Sequence, residues 1–443
     1  MPESHFHLSQ AVGSKWGSVS KEKAKRGTFY SLRNRNYRLY MSGQLISVSG
    51  TWMQTVGLSW LVLKLTGSGV QLGAVTAAQF LPLLLLGAVG GLVADRVNKR
   101  RLILLTQTSL ALGSLLLGIL TMSGMITMWM LYAISIWIGV TNAVDNPARQ
   151  SFVGELVDRG SVANAVSLNA VVMNSARIIG PGIAGVVIYI LGTGFLFMVN
   201  AASFLAVIVA LLLMRPEELF SSERVARARG QLREGFTYVW RTPRLKVPLL
   251  ILLLVGTLAF EFQVSFPLLA SATFHKGAGT YAAFMSFMGI GAVVGGLISA
   301  TFPQTSIRRL AYTSLGFGAL IVVVSFMPNS TAAMLAMIPM GTLSMVFVSI
   351  ANSTLQLNSD PSMRGRVLSL FTVAYQGSTP IGAPIVGYIG QQLGARYSVA
   401  IGGAAALVAG AYGIASALRR RAVRLSQVQP GSSAIQPVEG TAG

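Results

Sequence analysis

The stretch G-L-V-A-D-R-V-N-K-R-R, residues 91–101, separates two long runs of sequence that contain no Asp, Glu, Lys or Arg, residues 65–94 and 102–144. Further uncharged runs lie at 39–63, 178–214, 277–307, 310–359, 367–395 and 397–418. A helix needs about 20 apolar residues to span a bilayer, and several of these runs are long enough for two spans. The sequence therefore predicts an integral membrane protein that crosses the bilayer many times.

The composition agrees with a membrane protein and argues against other classes. Of the 443 residues, 53% are hydrophobic and only 11% are charged, whereas about 25% are charged in an ordinary soluble domain. The net charge of +21 comes from short basic clusters between uncharged runs, so we expect no nucleic-acid partner. The chain has no cysteine, and its three histidines are far apart. We therefore expect no metal site, no cofactor and, without a visible catalytic triad, no enzymatic activity.

Turn residues divide the longest uncharged runs. Ser123-Gly124-Met125 interrupts residues 102–144, and Pro328-Asn329-Ser330 interrupts residues 310–359, both with ordinary turn chemistry. We predict an all-α membrane protein with twelve transmembrane helices, near residues 39–63, 70–94, 102–122, 126–146, 164–191, 194–214, 247–273, 281–302, 310–328, 331–356, 367–392 and 396–418.

Positive charge is concentrated on one side of the predicted membrane. Thirty of the 34 basic residues lie in the two tails and in alternate loops. The opposite loops hold only Lys64, Lys276 and Arg396, and Arg177 lies within a span. Because cytoplasmic loops retain Lys and Arg, we expect both termini in the cytoplasm of a cell whose inner membrane holds the protein.

Two sequence matches at nearly the same offset indicate an internal duplication. I-G-P-G-I-A-G-V-V-I-Y-I-L-G at 179–192 and I-G-A-P-I-V-G-Y-I-G-Q-Q-L-G at 381–394 are identical at six of fourteen positions and lie 202 residues apart. V-G-G-L occurs at 89–92 and again at 294–297, 205 residues apart. The matches place span five on span eleven and span two on span eight. We therefore predict two six-helix pseudo-repeats, residues 39–214 and 247–418, as in one large transporter class.

The segments outside the two repeats are polar and basic. We predict disordered cytoplasmic tails at residues 1–38 and 419–443 and a cytoplasmic linker at 215–246. Within the linker, Phe236, Val239 and Trp240 fall on one helical face. This spacing predicts a short amphipathic helix on the membrane surface, with a flexible linker as the alternative.

Residues 91–101 resemble the signature loop of the major facilitator superfamily, G-x-x-x-D-R-x-G-R-R. The resemblance implies a twelve-helix transporter in which this loop joins the two halves. The first glycine lies one turn before the acid, so a neighbouring helix can approach closely there. A basic loop that only fixes the orientation is the alternative. The loop residues that would carry the role are Gly91, Asp95, Arg96, Lys99 and Arg100.

Span five contains Arg177 and then Gly180, Pro181 and Gly185, which are similar to the bend motif of antiporters in the superfamily. Pro181 has no N–H, so the carbonyl of Arg177 loses its helical partner and a local bend results. The resemblance implies that the bend helps to seal the cavity of an exchanger. A simple packing kink is the alternative.

Four short segments, three in the first half and one in the second, are similar to the drug and siderophore exporter branch. This branch contains macrolide-efflux proteins and the enterobactin exporter. The segments are S-G-T-W-M-Q at 49–54, L-T-G-S-G at 65–69, D-N-P-A-R-Q at 145–150 and M-R-G-R-V at 363–367. The resemblance implies an efflux function and leaves the cargo open.

Two charged residues are expected near the middle of the bilayer, where a charge is costly and usually functional. They are Glu261 and Arg177, which we predict to act in proton coupling. Polar residues at helical spacing predict a polar cavity between the spans, although hydrogen bonds between helices would also explain the hydroxyl residues. The predicted cavity lining is Gln44, Thr51, Trp52, Gln54, Asn174, Asn352, Gln356 and Gln376.

Asp145 lies near the cytoplasmic end of span four, at the level of the signature loop. Family members couple such an acid to the loop, so the resemblance implies a charge relay of Asp95, Lys99 and Asp145, with Arg149 able to compete for Asp145. Local helix capping by Asp145 ahead of Pro147 is the alternative.

The leading interpretation is a secondary active exporter that exchanges protons for a drug, a siderophore or another amphipathic small molecule by alternating access. We expect it to act as a monomer in the lipid bilayer. A uniporter or an importer of a small metabolite is the alternative. A receptor or scaffold would need neither the buried charges nor the complete signature loop. The sequence has no G-x-x-x-x-G-K-[ST] phosphate loop, which disfavours an ATP-driven pump.

The charge bias predicts the topology directly. Reporters fused after Arg224 and at the C-terminus should report cytoplasm, because basic segments stay on that side. A reporter inserted near Asn329 should report the outside. Alkaline phosphatase and green fluorescent protein fusions measure this, and an outside signal at Arg224 would contradict the predicted orientation.

Overall fold

The computed structural model describes residues 29–220, 231–301 and 306–428, and within these ranges it contains helices and no strand. Short turns of 3₁₀ helix at Tyr30–Arg33, Val153–Glu155 and Pro216–Glu218 accompany the longer helices. The longer helices are α1 (Arg35–Thr66), α2 (Gly69–Arg96), α3 (Lys99–Met122), α4 (Met128–Phe152), α5 (Val162–Leu212), α6 (Gln231–Arg241), α7 (Pro243–Ala259), α8 (Phe262–Leu268), α9 (Ala278–Thr301), α10 (Ile307–Ser325), α11 (Ser330–Leu357), α12 (Arg364–Tyr375), α13 (Thr379–Gln392) and α14 (Ala395–Val428).

Eight helical stretches in the described residues are long and apolar enough to cross a membrane. This confirms the prediction of an all-α, multi-pass membrane protein. Helices α1 and α4 are long enough but carry many polar residues, and α12 and α13 are separate pieces of 12 and 14 residues. The eight stretches therefore do not correspond one to one with the predicted spans.

Breaks in the helices explain part of this difference. Gly192 has φ +84 within α5, a conformation that glycine adopts readily, and it lies between the predicted spans 164–191 and 194–214. The predicted span 367–392 is wrong as a single helix, because it is interrupted between α12 and α13. Pro380 has no N–H to offer to the carbonyl of Gln376, four residues earlier, so a helix cannot continue unchanged through this point.

The predicted tails are shorter in the structure than in the sequence analysis. Asn34 caps α1, because its Oδ1 accepts a hydrogen bond of 3.2 Å from the backbone N–H of Tyr37. Residues 30–38 are therefore helical in large part rather than disordered. At the other end, α14 continues to Val428, ten residues past the predicted boundary. The predictions for residues 1–28 and 429–443 lie outside the described residues, as does the part of the linker at 221–230.

The linker helix α6 packs against the beginning of α12 and the loop before it. Glu234 forms an ion pair of 2.7 Å with Arg366, and the Tyr238 hydroxyl donates a hydrogen bond of 2.9 Å to the Asp360 carboxylate. Val239 is buried against the protein, so the prediction that it shares a membrane-facing surface with Phe236 and Trp240 is wrong. Those two rings are half exposed and stack on each other with centroids 5.3 Å apart.

The V-G-G-L repeat makes the same helix contact twice. A Cβ atom at Gly90 would lie 2.0 Å from the carbonyl oxygen of Ala143, so α2 meets the backbone of α4 there. A Cβ atom at Gly295 would lie 2.3 Å from the carbonyl oxygen of Thr342, so α9 meets the backbone of α11 in the same way. Small residues allow this close approach of two membrane helices.

The longer repeat also makes an equivalent contact in each copy. A Cβ atom at Gly180 would lie 2.5 Å from the carbonyl oxygen of Ser49, which joins α5 to α1. A Cβ atom at Gly382 would lie 1.6 Å from the carbonyl oxygen of Thr257, which joins α13 to α7. The glycines that match in sequence therefore match in what they contact.

These contacts predict a position-specific effect of adding one methyl group. Gly295→Ala should lower the thermal unfolding midpoint of the detergent-purified protein by several degrees, because the new Cβ would collide with the backbone of α11. Gly296→Ala is the matched control, since a Cβ atom at Gly296 has nothing within 4 Å and alanine favours the helix. Equal midpoints for the two variants would contradict the close approach of α9 and α11.

Candidate functional site

A buried ion pair lies at the centre of a polar network in residues 35–212. Asp145 is fully buried on α4, and its carboxylate lies 2.8 Å from the Nε of Arg149, one turn later on the same helix. Thr106 donates a hydrogen bond of 2.5 Å to the same carboxylate, and Gln107 donates bonds of 3.1 Å to both of its oxygens. The carboxylate is thus satisfied by groups from α3 and α4, as a buried charge requires.

Arg149 extends the network to α1. One of its terminal nitrogens donates a hydrogen bond of 2.9 Å to Oε1 of Gln44. The amide nitrogen of Gln44 in turn donates to the Tyr40 hydroxyl at 2.5 Å. Ser47, one turn further along α1, donates to Gln107 at 3.3 Å. The predicted cavity residue Gln44 is therefore a buried link between α1 and α4.

Two members of the predicted charge relay, Lys99 and Asp145, form ion pairs with residues outside it. Lys99 pairs with Glu155 at 2.5 Å, and Asp145 pairs with Arg149, which was the predicted competitor. Asp145 also lies inside α4, seven residues before its end, so it does not cap a helix start as the alternative had it. The sequence analysis missed Glu155, although its position one turn after the basic end of α4 was a usable signal.

The remaining signature-loop residues lie at the end of the helix bundle where α2 ends and α3 begins. Asn98 caps α3 by accepting a hydrogen bond of 3.1 Å from the backbone N–H of Arg101. Arg100 donates to the Leu211 carbonyl at the end of α5 at 2.8 Å. Arg96 is exposed, and Asp95 is half-buried and has a partner of its own. Gly91 is buried, but the close contact with α4 described above is made by its neighbour Gly90.

Gln54 belongs to a second buried network further along α1. Its Oε1 accepts hydrogen bonds from Ser114 at 2.5 Å and from Asn200 at 2.6 Å. Ser203 donates to Asn200 at 3.0 Å. These bonds join α1, α3 and α5, so Gln54 both holds the helices together and borders a cavity.

Two cavities lie beside these networks, and Arg149 lines both. The first cavity is lined by the polar side chains Thr51, Gln54, Gln79 and Asn142 and by the apolar side chains Leu58, Leu110, Ile138 and Phe204, among others. The second cavity is lined by Gln44, Asn146, Arg149, Gln150, Asn169 and Met173. Asn142, Asn146, Arg149 and Gln150 form a polar stripe on α4 that the sequence analysis missed, although its i, i+4, i+7, i+8 spacing was visible.

Arg177 lies against Trp52 at the bend of α5. Its guanidinium carbon is 4.9 Å from the centroid of the Trp52 ring, a cation–π contact. Gly180 brings the backbone of α5 onto Trp52 and Ser49 of α1, and Gly185 faces Ala282 of α9. The bend motif with Pro181 thus lies where α5 contacts both α1 and α9. One face of the Trp52 ring is therefore covered by Arg177.

Glu261 lies at the break between α7 and α8. The residue is buried, with 3% of its surface exposed, and its Oε1 has no hydrogen-bond partner in the described part of the chain. This oxygen is close to Gly382 of α13, where a Cβ atom would lie 3.0 Å from it. The structure therefore places the two predicted charges in different surroundings, Glu261 against α13 and Arg177 against α1.

The other predicted cavity residues make local contacts within their own helices or are exposed. Thr51 lines the first cavity and donates to the carbonyl of Ser47 at 3.0 Å. Asn174 donates to the carbonyl of Ala170 at 2.8 Å. Gln356 donates to Asn352 at 2.7 Å on α11, and Gln376 is exposed at the end of α12. The described residues contain no cluster of three or more His, Asp or Glu that could hold a metal ion.

The sequence pattern of the transmembrane secretion effectors matches residues 26–433, almost the whole chain. The chain belongs to this family of the major facilitator superfamily. The predicted recognition of the superfamily and of its drug and siderophore exporter branch is confirmed. Because family members are transporters, the prediction that the protein is not an enzyme is also confirmed.

This transporter is similar to relatives that are named for two kinds of cargo. It is 25% identical to the staphyloferrin A transporter of Staphylococcus aureus over 78% of this chain and 87% of that protein. It is 24% identical to the multidrug efflux pump Tap of Mycolicibacterium fortuitum over 80% of this chain and 89% of that protein. A solved POT family transporter in complex with 5-aminolevulinic acid shares the fold, with a TM-score of 0.73, 12% identity and coverage of 92% of this chain and 99% of that one.

The buried pair predicts a large difference between two acid-to-amide substitutions. Asp145→Asn should destabilise the transporter by about 3 kcal/mol or more, because Arg149 would remain in the interior without its counter-charge. Glu218→Gln is the matched control, since its pair with Arg215 is exposed and such pairs contribute about 0–1 kcal/mol. Thermal unfolding of the purified proteins measures both. Similar stabilities would contradict the central role of the Asp145–Arg149 pair.

Proposed function

We propose that the protein is a proton-coupled exporter of an amphipathic small molecule, built from two six-helix halves with twelve membrane crossings. The equivalent contacts of Gly90 and Gly295, and of Gly180 and Gly382, support the division of the chain into two repeated halves. The similarity to a multidrug efflux pump and to a siderophore transporter supports export of such a cargo. Both termini lie in the cytoplasm, and the protein acts as a monomer in the inner membrane.

Contacts between the halves support alternating access. Gly69 and Gly73 of α2 pack on Gly387 and Ala383 of α13, and Gln391 accepts hydrogen bonds from the Ser68 hydroxyl at 2.6 Å and the Val70 N–H at 3.1 Å. These contacts lie at the end of the bundle whose loops are poor in basic residues, which is the outer end by the charge rule. A protein closed there is in the state that receives cargo from the cytoplasm.

The observation that carries the proposal is the position and surroundings of Glu261. It is a buried carboxyl group at a break in a membrane helix, and one of its two oxygens has no hydrogen-bond partner among the described residues. In the described residues Arg177 contacts Trp52 rather than this acid. A carboxylate that is protonated in one state and ionised in the other provides the proton step that exchange requires.

Everted membrane vesicles test the proposal with two fluorescent probes, the aromatic cation ethidium and the aromatic carboxylate carboxyfluorescein. The wild-type protein should accumulate at least one of them when the lumen is acidic. Glu261→Gln imitates the protonated acid and should reduce this gradient-driven accumulation about tenfold or more. Glu218→Gln, an exposed acid at the cytoplasmic surface, should leave it unchanged.

Each other outcome has a defined meaning. Probe uptake that only reaches equal concentrations on both sides, at the same rate with and without the pH gradient, would replace the proposal with a uniporter. Full gradient-driven accumulation by the Glu261→Gln variant would remove Glu261 from the proton step. Movement of the probes only in the opposite direction, out of everted vesicles, would identify an importer.

A further inference from the structure

Two groups of amide side chains in the first half differ in their hydrogen bonding. The first group is buried and hydrogen-bonded to other protein groups. Gln107 donates to Asp145, Gln54 accepts from Asn200, and Gln44 accepts from Arg149 and donates to Tyr40. These amides are structural, because a buried amide that lost its partners would be costly.

The second group borders the cavities and makes no hydrogen bond to another described residue. Its members are Gln79, Asn142, Asn146, Gln150 and Asn169. Gln79 of α2 and Asn142 of α4 line the first cavity, and Asn146 and Gln150 of α4 with Asn169 of α5 line the second. A packing role does not account for them, because packing uses no free donors or acceptors. Such groups are those that orient a ligand in an otherwise apolar pocket.

The only charged side chain among the described lining residues of these cavities is an arginine. Arg149 lines both, and neither cavity has an aspartate or glutamate among its described lining residues. The counter-ion Asp145 is fully buried behind Arg149, and Thr106 and Gln107 already donate to it. Glu261 lies on the other half, against α13. A ligand that enters therefore meets a guanidinium and amide N–H groups, and no free carboxylate.

We propose, on the basis of the transport function proposed above, that the cargo is an anionic, oxygen-rich amphipathic molecule whose carboxylate-type oxygens bind Arg149 and the free amides of α4 and α5. Guanidinium groups bind carboxylates with directional, charge-assisted hydrogen bonds. The apolar part of the cargo packs on Leu110, Ile138 and Phe204, which line the first cavity. A lipophilic cation finds no acidic side chain among the described lining residues of the two cavities and binds more weakly.

Binding of probes to the full-length protein in phosphatidylcholine nanodiscs tests this proposal without a proton gradient. Carboxyfluorescein should bind at least about tenfold more tightly than ethidium, as measured by fluorescence anisotropy. The double variant Asp145→Asn/Arg149→Gln removes both charges of the pair together and should weaken carboxyfluorescein binding about tenfold or more. Arg308→Gln, at an exposed arginine that borders neither cavity, should leave binding unchanged.

Two further variants decide the proposal if the double variant does not fold. Asn146→Ala and Asn169→Ala leave the ion pair intact and should each weaken carboxyfluorescein binding severalfold, with ethidium binding unchanged. Unaltered carboxyfluorescein binding in both variants, or tighter binding of ethidium than of carboxyfluorescein to the wild type, would overturn the proposal.

The vesicle and nanodisc measurements separate the two proposals. If ethidium moves with the proton gradient while carboxyfluorescein neither binds nor moves, the transport function stands and the anionic cargo is wrong. If carboxyfluorescein binds through Arg149 and the amides but no probe moves with the gradient, the binding site stands and proton-coupled export is wrong.

Discussion

Inside a bilayer no water is available to satisfy a buried polar group, and this constraint determines how the helices of the first half are held together. The Asp145 carboxylate needs several partners, and they come from α3 and α4, while Arg149 extends the same network to α1 through Gln44. Displacing one of these helices would leave a charge or an amide unsatisfied in the interior. The relative positions of α1, α3 and α4, and hence the cavities beside them, depend on this ion pair.

The helices approach closely where glycine removes the side chain. In α2 and α9 the same V-G-G-L phrase lets a backbone carbonyl of a neighbouring helix come into direct contact. The polar network and the glycine contacts act at different places, one in the interior of a half and the other along helix seams. Together they leave room for cavities, because close seams on one side of a helix allow separation on the other.

The sequence was sufficient for the membrane class, the family and most helix positions, since these follow from long uncharged runs, basic loops and a spaced motif. It also singled out Arg177 and Glu261, whose role in proton coupling stays a prediction. It did not predict that Lys99 would pair with Glu155 or that Arg177 would lie on Trp52. Those pairings depend on three-dimensional neighbours, and several partners were chemically equivalent choices in the sequence. The α4 stripe was visible as a spacing, but the sequence alone did not show that these side chains line cavities.

The ion pair of Asp145 and Arg149 is closed within one turn of a single helix. When α4 tilts or shifts across the membrane, the two opposite charges move together, so this pair adds almost nothing to the charge that crosses the electric field. An isolated charge that crosses the whole field exchanges about 2.3 kcal/mol per 100 mV with the membrane potential. A movement of α4 therefore depends little on the membrane potential, and the voltage dependence of the proposed transport cycle falls on Arg177, Glu261 and the cargo itself.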